Sequence, residues 1–294
     1  GAIGANALVH ETLIEPGDHV ISVRPTYQQH YSIPESYGAD VDILQLRPEN
    51  GFLPNLAELK AMVRPETKLI VLNNPNNPTG ALMEAEALDA FVAIARSCDA
   101  FVLCDEVYRG TNQIGDGFAP AMADVYEKGI SVAGMSKTFS LAGLRLGWIA
   151  APLDVLEAVS IHRDYNTISV GMLDDYFAAM ALETKDKILA RSQQITRGNL
   201  AILDAWVADE PSMSYVKPKA GTTALLKYDF DMPSRDFCIQ LLQQTGVMFT
   251  PGSVMHMEGW LRVGYANDPE ILRTGLAKVS GFLAGLAANS GSAA

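Results

Sequence analysis

The sequence predicts an α/β protein: a three-layer α/β/α large domain around a mostly parallel sheet, followed by a smaller C-terminal α+β domain. Two observations carry this. Through the first half, short apolar runs alternate with amphipathic stretches of helix length, the pattern of β–α repeats. From Tyr215 onward the order becomes strand, helix, strand, helix.

The elements follow in order. Gly1-Ala2-Ile3-Gly4-Ala5-Asn6-Ala7-Leu8-Val9 opens a helix that ends near Glu15-Pro16-Gly17-Asp18. Val20–Val23 and Val41–Leu46 read as strands, with a helix from about Tyr27 between them. Leu56 to Val63 is helical, and Leu69-Ile70-Val71-Leu72 is a buried parallel strand. Glu84 to Arg96 is an amphipathic helix, followed by the strand Ala100–Cys104. Ile130–Ala133 and Leu146–Ala150 are strands flanking a loop that holds Lys137. A boundary falls near Pro152. Helices are expected over Val155–Arg163, Leu173–Leu182 and, at length, Asp186–Trp206. Strands Thr223–Tyr228 and Trp260–Val263 alternate with helices Ser234–Thr245 and Pro269–Leu286, and a flexible tail is expected over 289–294.

Composition narrows the function. The 294 residues are 48% hydrophobic, enough for a sizeable core. A net charge of −12 argues against nucleic acid or an anionic membrane as a direct partner. No apolar run reads as long enough to span a bilayer, and no signal peptide is visible. Cys98, Cys104 and Cys238 lie in apolar contexts without a C-x-x-C pair, which points to reduced thiols and a cytoplasmic protein. The five histidines show no metal-binding spacing, so no metal is expected.

Lys137 is the most informative residue. It sits in Gly134-Met135-Ser136-Lys137-Thr138-Phe139-Ser140 at the end of an apolar strand. A desolvated amine there is easier to deprotonate and can attack an aldehyde, the chemistry by which a lysine holds pyridoxal phosphate (PLP). Asp105-Glu106-Val107-Tyr108 also follows an apolar strand, where ligands bind in open α/β sheets. An Asp there can pair with a protonated pyridine nitrogen; its plainer role is to cap a helix. Asn73-Asn74-Pro75-Asn76-Asn77-Pro78-Thr79-Gly80 is a tight loop, either a plain strand-to-helix turn or the source of an Asn donor for a phenolate oxygen. The small residues of the first helix leave its N–H groups open to a phosphate, although close packing alone would also explain them.

These segments, with the late Trp260-Leu261-Arg262-Val263-Gly264-Tyr265-Ala266, resemble the class I/II aminotransferases of the PLP-dependent fold-type-I superfamily over nearly the whole chain. The resemblance implies an internal aldimine at Lys137, which then shuttles the proton. It implies Asp105 on the pyridine nitrogen and Asn77 with Tyr108 on the phenolate oxygen. Tyr27 would stack on the ring, unless it is a core tyrosine starting a helix. The backbone of Ala2 and Ile3, with Ser136 and Arg145, would hold the phosphate, and Arg262 (with Asn77) the substrate carboxylate. It further implies PLP as cofactor, an amino acid and a 2-oxo acid as substrates, and a homodimer.

By the same resemblance, 1–151 is the PLP-binding large domain, 152–208 its end with a connecting helix, and 209–288 the small domain. Two departures stand out. Gly134 replaces a Ser that usually touches the phosphate. The chain also begins inside the phosphate loop, and is read as a truncated form of a longer protein. Three rivals remain: a β-lyase or cyclase on the same scaffold, an aminotransferase-like effector-binding module of a transcription regulator, and a fragment too incomplete to fold.

Overall fold

A computed structural model describes the backbone of residues 1–291 and the side chains of 1–288. Helix α1 (Ala2–Leu13) leads into β1 (His19–Arg24), α2 (Gln29–Ser36), β2 (Asp40–Gln45), α3 (Leu56–Met62) and β3 (Thr67–Asn73). Then come α4 (Ala85–Ser97), β4 (Phe101–Asp105), α5 (Met122–Val125), β5 (Gly129–Gly134) and β6 (Gly147–Ala150). The six strands form one sheet in the order β2-β1-β3-β4-β5-β6, parallel except for the β5–β6 pair.

The alternation of side chains along these strands builds the layers. Ile21, Val23, Ile70, Leu72 and Val102 pack against Leu59 of α3 and Leu88, Phe91 and Val92 of α4. Val20, Leu69, Val71, Leu103 and Val132 point the other way, onto Leu8 and Val9 of α1 and onto Val155 and Val159 of α6 (Leu153–Asp164). Strands buried on both faces therefore read as unbroken apolar runs, which is why the sequence reveals them.

After α7 (Met172–Glu183) and the long α8 (Lys185–Asp209), a second sheet forms from β7 (Met213–Tyr215), β8 (Thr223–Tyr228), β9 (Thr250–Pro251) and β10 (Trp260–Gly264). Its order is β7-β8-β10-β9, all antiparallel. Helix α9 (Ser234–Thr245) and α10 (Pro269–Gly291) cover it through Phe237, Leu241, Leu276, Val279 and Phe282, joined by Leu203 of α8. Strands β7 and β9 escape the sequence reading because three and two residues are too few to display a period of two.

Two expectations change at the C-terminus. Helix α10 continues to Gly291, past the point where a tail was expected, and 292–294 lie outside the described residues. Within it, Pro269–Ala288 is long and apolar enough to cross a bilayer by length and composition, contrary to the sequence reading. In the fold its Leu272, Leu276, Val279, Phe282 and Leu283 are buried in the core of the second sheet, so the helix has a packing partner already.

Candidate active site

The large sheet brings three strand ends together. Asn73 pairs in register with Asp105, and Asp105 with Val132, so the loops after β3, β4 and β5 leave side by side. Such carboxyl-end crevices are where open α/β sheets bind ligands.

Asp105 is 5% exposed and braced from several directions. Its Oδ1 accepts the Val107 N–H at 3.1 Å, and its Oδ2 accepts from Asn6 Nδ2 at 2.9 Å. Its backbone carbonyl accepts from Asn73 Nδ2 at 2.7 Å. No helix follows β4 directly, so Asp105 is not a helix cap. Its neighbour Glu106 has a different job. Glu106 Oε1 accepts the Met122 N–H and the Ser131 hydroxyl, each at 2.7 Å, tying α5 to β5, and burial raises its pKa. Tyr108 is 2% exposed; burial pushes its phenol up to about 12, so it remains a donor at neutral pH.

The Asn-rich loop is not a plain turn into a helix. Asn73 Oδ1 accepts the Asn77 N–H at 2.7 Å, and Asn74 pairs with both backbone groups of Met83. Asn76 accepts from the Thr79 hydroxyl at 2.8 Å. Three asparagines thus fix the loop, while the fourth faces the site: Asn77 Oδ1 meets Arg262 Nη1 at 3.4 Å. Arg262 extends from β10 of the second sheet and also donates to Thr250 Oγ1 at 3.2 Å, so the two sheets meet at this pair. Gly80 holds them in register. At φ +69°, a Cβ there would lie 2.5 Å from Pro218 Cβ, while its carbonyl accepts the Lys219 and Ala220 N–H groups.

The cationic end of the site lies where α1 begins. Arg145 is held in the left-handed region (φ 48°) and donates to the Ala142 carbonyl at 2.7 Å and to Ser136 Oγ at 3.3 Å. The N–H groups of Ala2 and Ile3 precede the helical ladder, and α1 has no side-chain cap. Helix and sheet come so close because Gly147 has no side chain: a Cβ there would sit 2.5 Å from Ala2 N. The same crowding accounts for Gly134, where a Cβ would meet the Leu146 carbonyl oxygen at 2.8 Å. A serine at that position does not fit this backbone.

Lys137 departs from expectation. Its loop is pinned by Thr138 Oγ1, which lies 3.0 Å from the Val107 carbonyl oxygen and 2.8 Å from that of Arg109. Yet the side chain itself is exposed. The desolvation inferred from the apolar strand before it is not supplied by this chain alone.

A cavity of about 230 Å³ joins these groups, lined among others by Ala2, Ile3, Tyr27, Asn77, Asp105, Tyr108, Ser136, Lys137 and Arg145. Every residue expected to hold PLP lines it; Arg262 reaches the site through Asn77. Tyr27 is 38% exposed and edge-on to His30, so it is not a core tyrosine. Sequence reasoning missed Asn6, Asn73 and Gln29, which line the same cavity. Asn6 left one signal, an amide within an otherwise apolar helix start. The residues suit PLP by their chemistry: a buried carboxylate, a neutral phenol, a free amine, and a guanidinium beside open helix N–H groups.

Fold and cavity together define a PLP-type α/β enzyme, and comparison with known proteins agrees. The sequence matches the family described as "Aminotransferase class I and II" over residues 1–279. A PLP-dependent aminotransferase from Streptococcus suis 89-1591 superposes with a TM-score of 0.94 at 48% identity, over 97% of this chain and 76% of that one. Capreomycidine synthase of Streptomyces vinaceus is 30% identical over 90% of this chain and 68% of its own length. The aspartate/prephenate aminotransferase of Thermus thermophilus is 27% identical over 93% and 71% respectively. The chain belongs to the aminotransferase class I and II family and is a PLP-dependent enzyme of that class.

Proposed function

We propose that the enzyme moves an amino group between an α-amino acid and a 2-oxo acid, with Lys137 as the residue that carries the proton. The observation behind this reading is the single cavity shared by a braced Asp105, a free Lys137 and an Arg145 at the start of α1. Bound PLP supplies an aldehyde carbon and a ring that withdraws electrons from it.

The chain's own residues do the rest. Asp105 would keep the ring nitrogen protonated through a charge-assisted hydrogen bond. Asn77 and Tyr108 would donate to the phenolate oxygen, and Tyr27 would cover one ring face. Arg145, Ser136 and the Ala2 and Ile3 N–H groups would bind phosphate. Arg262 would take the substrate carboxylate in a bidentate fork, helped by Asn77. Lys137, once free, would remove the substrate Cα proton and deliver it to the carbon that began as the cofactor's aldehyde, across the intervening nitrogen. Its exposure in the lone chain leaves the shielding of that step to bound ligands and to a partner.

A second copy of the chain is the partner we favour. Ile161 of α6, Tyr165 and Ile168 of the loop after it, and Met172, Leu173 and Tyr176 of α7 are large apolar side chains left exposed, which a second copy could cover. Residues 1–151 would then form the PLP-binding domain and 209–288 the small domain. Three free thiols support a cytoplasmic setting.

The likeness to a solved PLP-dependent cyclase (TM-score 0.89, 27% identity, over 96% of this chain and 76% of that one) favours a second reading, in which the same scaffold cyclises or eliminates. One experiment separates the two. The PLP-loaded enzyme is incubated with single amino acids, with and without an added 2-oxo acid, and products are quantified. Transamination predicts one 2-oxo acid per cofactor without acceptor and continuous turnover with it. Ammonia release, or a cyclic product without acceptor, would overturn transamination. Binding without any product would favour the effector-binding reading.

A further inference from the structure

Helix α1 meets the cavity twice. Its first turn faces Arg145, and one turn further on Asn6 reaches the opposite end, at Asp105. Asn6 is 1% exposed. Its Nδ2 donates to Asp105 Oδ2 at 2.9 Å and to Gln29 Oε1 at 3.5 Å. Turning the amide over would set its oxygen against a carboxylate, so the partners themselves fix its orientation.

A second side chain competes for the same carboxylate oxygen. His30 Nε2 lies 3.4 Å from Asp105 Oδ2, but neither ring nitrogen of His30 reaches hydrogen-bond geometry with any described residue. The Asn6 contact is therefore what holds Oδ2, while the Val107 N–H holds Oδ1. A buried carboxylate that loses one of two donors must rotate or take up a proton. Either change would spoil an acceptor aimed at a ring nitrogen. An amide is well suited to this support: it stabilises the anion without adding a positive charge that would compete with the ring.

We propose that Asn6 is a positioning residue for Asp105, holding the carboxylate in the rotamer and charge state that receive the pyridine nitrogen of PLP. This rests on the reading of the cavity as the PLP site and adds a residue that acts through Asp105. One helix thereby fixes both ends of the cofactor site, the phosphate end by its N-terminus and the ring end by Asn6.

The test is a double-mutant cycle on PLP affinity. Equilibrium dissociation constants for PLP are measured for the wild type, Asn6→Leu, Asp105→Asn and the double variant, with circular dichroism confirming the fold. Asn6→Leu is expected to weaken PLP binding about tenfold, the size of one hydrogen bond to a charged group. In the Asp105→Asn background the same change is expected to cost less than about twofold, because the coupling is gone. Equal losses in both backgrounds, or no loss in either, would overturn the proposal. If Asn6→Leu does not fold, Asn6→Ser against Asn6→Ala supplies the comparison: the hydroxyl should restore part of the affinity that the methyl cannot. A wild type that fails to bind PLP, or an Asp105→Asn variant that binds it equally well, would instead overturn the reading of the cavity itself.

Discussion

The ends of β4 and β5 lie side by side, yet they are built in opposite ways. At the end of β4, Asp105 is buried and hydrogen-bonded at both carboxylate oxygens. Past the end of β5, Lys137 is exposed, and only the backbone around it is pinned. In the proposed function the first group would present a fixed charge, and the fold already holds it in place by these hydrogen bonds. In the proposed mechanism the second would move between atoms, which an anchored loop with an exposed side chain permits.

That contrast can be broken most sharply at Lys137. Lys137→Ala is expected to lower multiple-turnover rates by at least about 10²–10⁴-fold, the usual contribution of a general base, while PLP binding persists. Rapid turnover in that variant would remove the lysine from the mechanism. At the phosphate end, Arg145→Ala is expected to weaken PLP by about 1.5–3 kcal/mol, the worth of a hydrogen bond to a charged group. Dialysis against PLP-free buffer would read this as faster loss of cofactor, whereas unchanged retention would mean that the helix N–H groups suffice.

The rigid side can be tested through packing. Gly147→Ala places a Cβ 2.5 Å from Ala2 N and 2.6 Å from the Gly1 carbonyl carbon, where only backbone can yield. We expect a stability loss of about 1–3 kcal/mol, typical of overpacking, together with weaker PLP binding, because the start of α1 must move. A thermal melt with no shift would show that the close approach is not required.

The last test concerns pH and leaves stability at neutral pH outside its reach. His10 lies on α1 one turn beyond Asn6, without a hydrogen-bond partner among the described residues; burial, with His30 nearby, lowers its pKa from 6.5 to about 3. A depressed pKa means that the unfolded state takes up the proton first. The stabilisation is therefore complete above pH 6.5 and is lost as pH falls toward 3. His10→Leu should flatten the acid limb of the stability curve by up to about 1.4 kcal/mol per pH unit within that window. Parallel acid limbs in denaturant titrations of the two proteins would contradict it.

Much of this was legible in the chain. The apolar runs of β1, β3, β4 and β5 announce themselves because burial on both faces demands unbroken hydrophobicity. Lys137, Asp105, Asn77 and Tyr108 stand out because polar residues directly follow those runs. Asn6 did not, since a single amide in a helix carries no periodic signal and its meaning lies in a partner 99 positions away. Gly134 reads in the chain as a departure at the phosphate loop, and only the backbone packed around it, which leaves no room for a Cβ, explains the glycine.

The sequence by itself determined the order of the longer elements, the mostly parallel sheet and the residues at its strand ends, because these follow from local periodicity and turn chemistry. Tertiary structure decided which polar groups are braced and which are free. It set Arg262 beside Asn77, gave Asp105 its Asn6 donor, and left Lys137 in the open. Hydrogen-bond pairing and desolvation depend on atoms brought together from distant parts of the chain, and no local pattern encodes them.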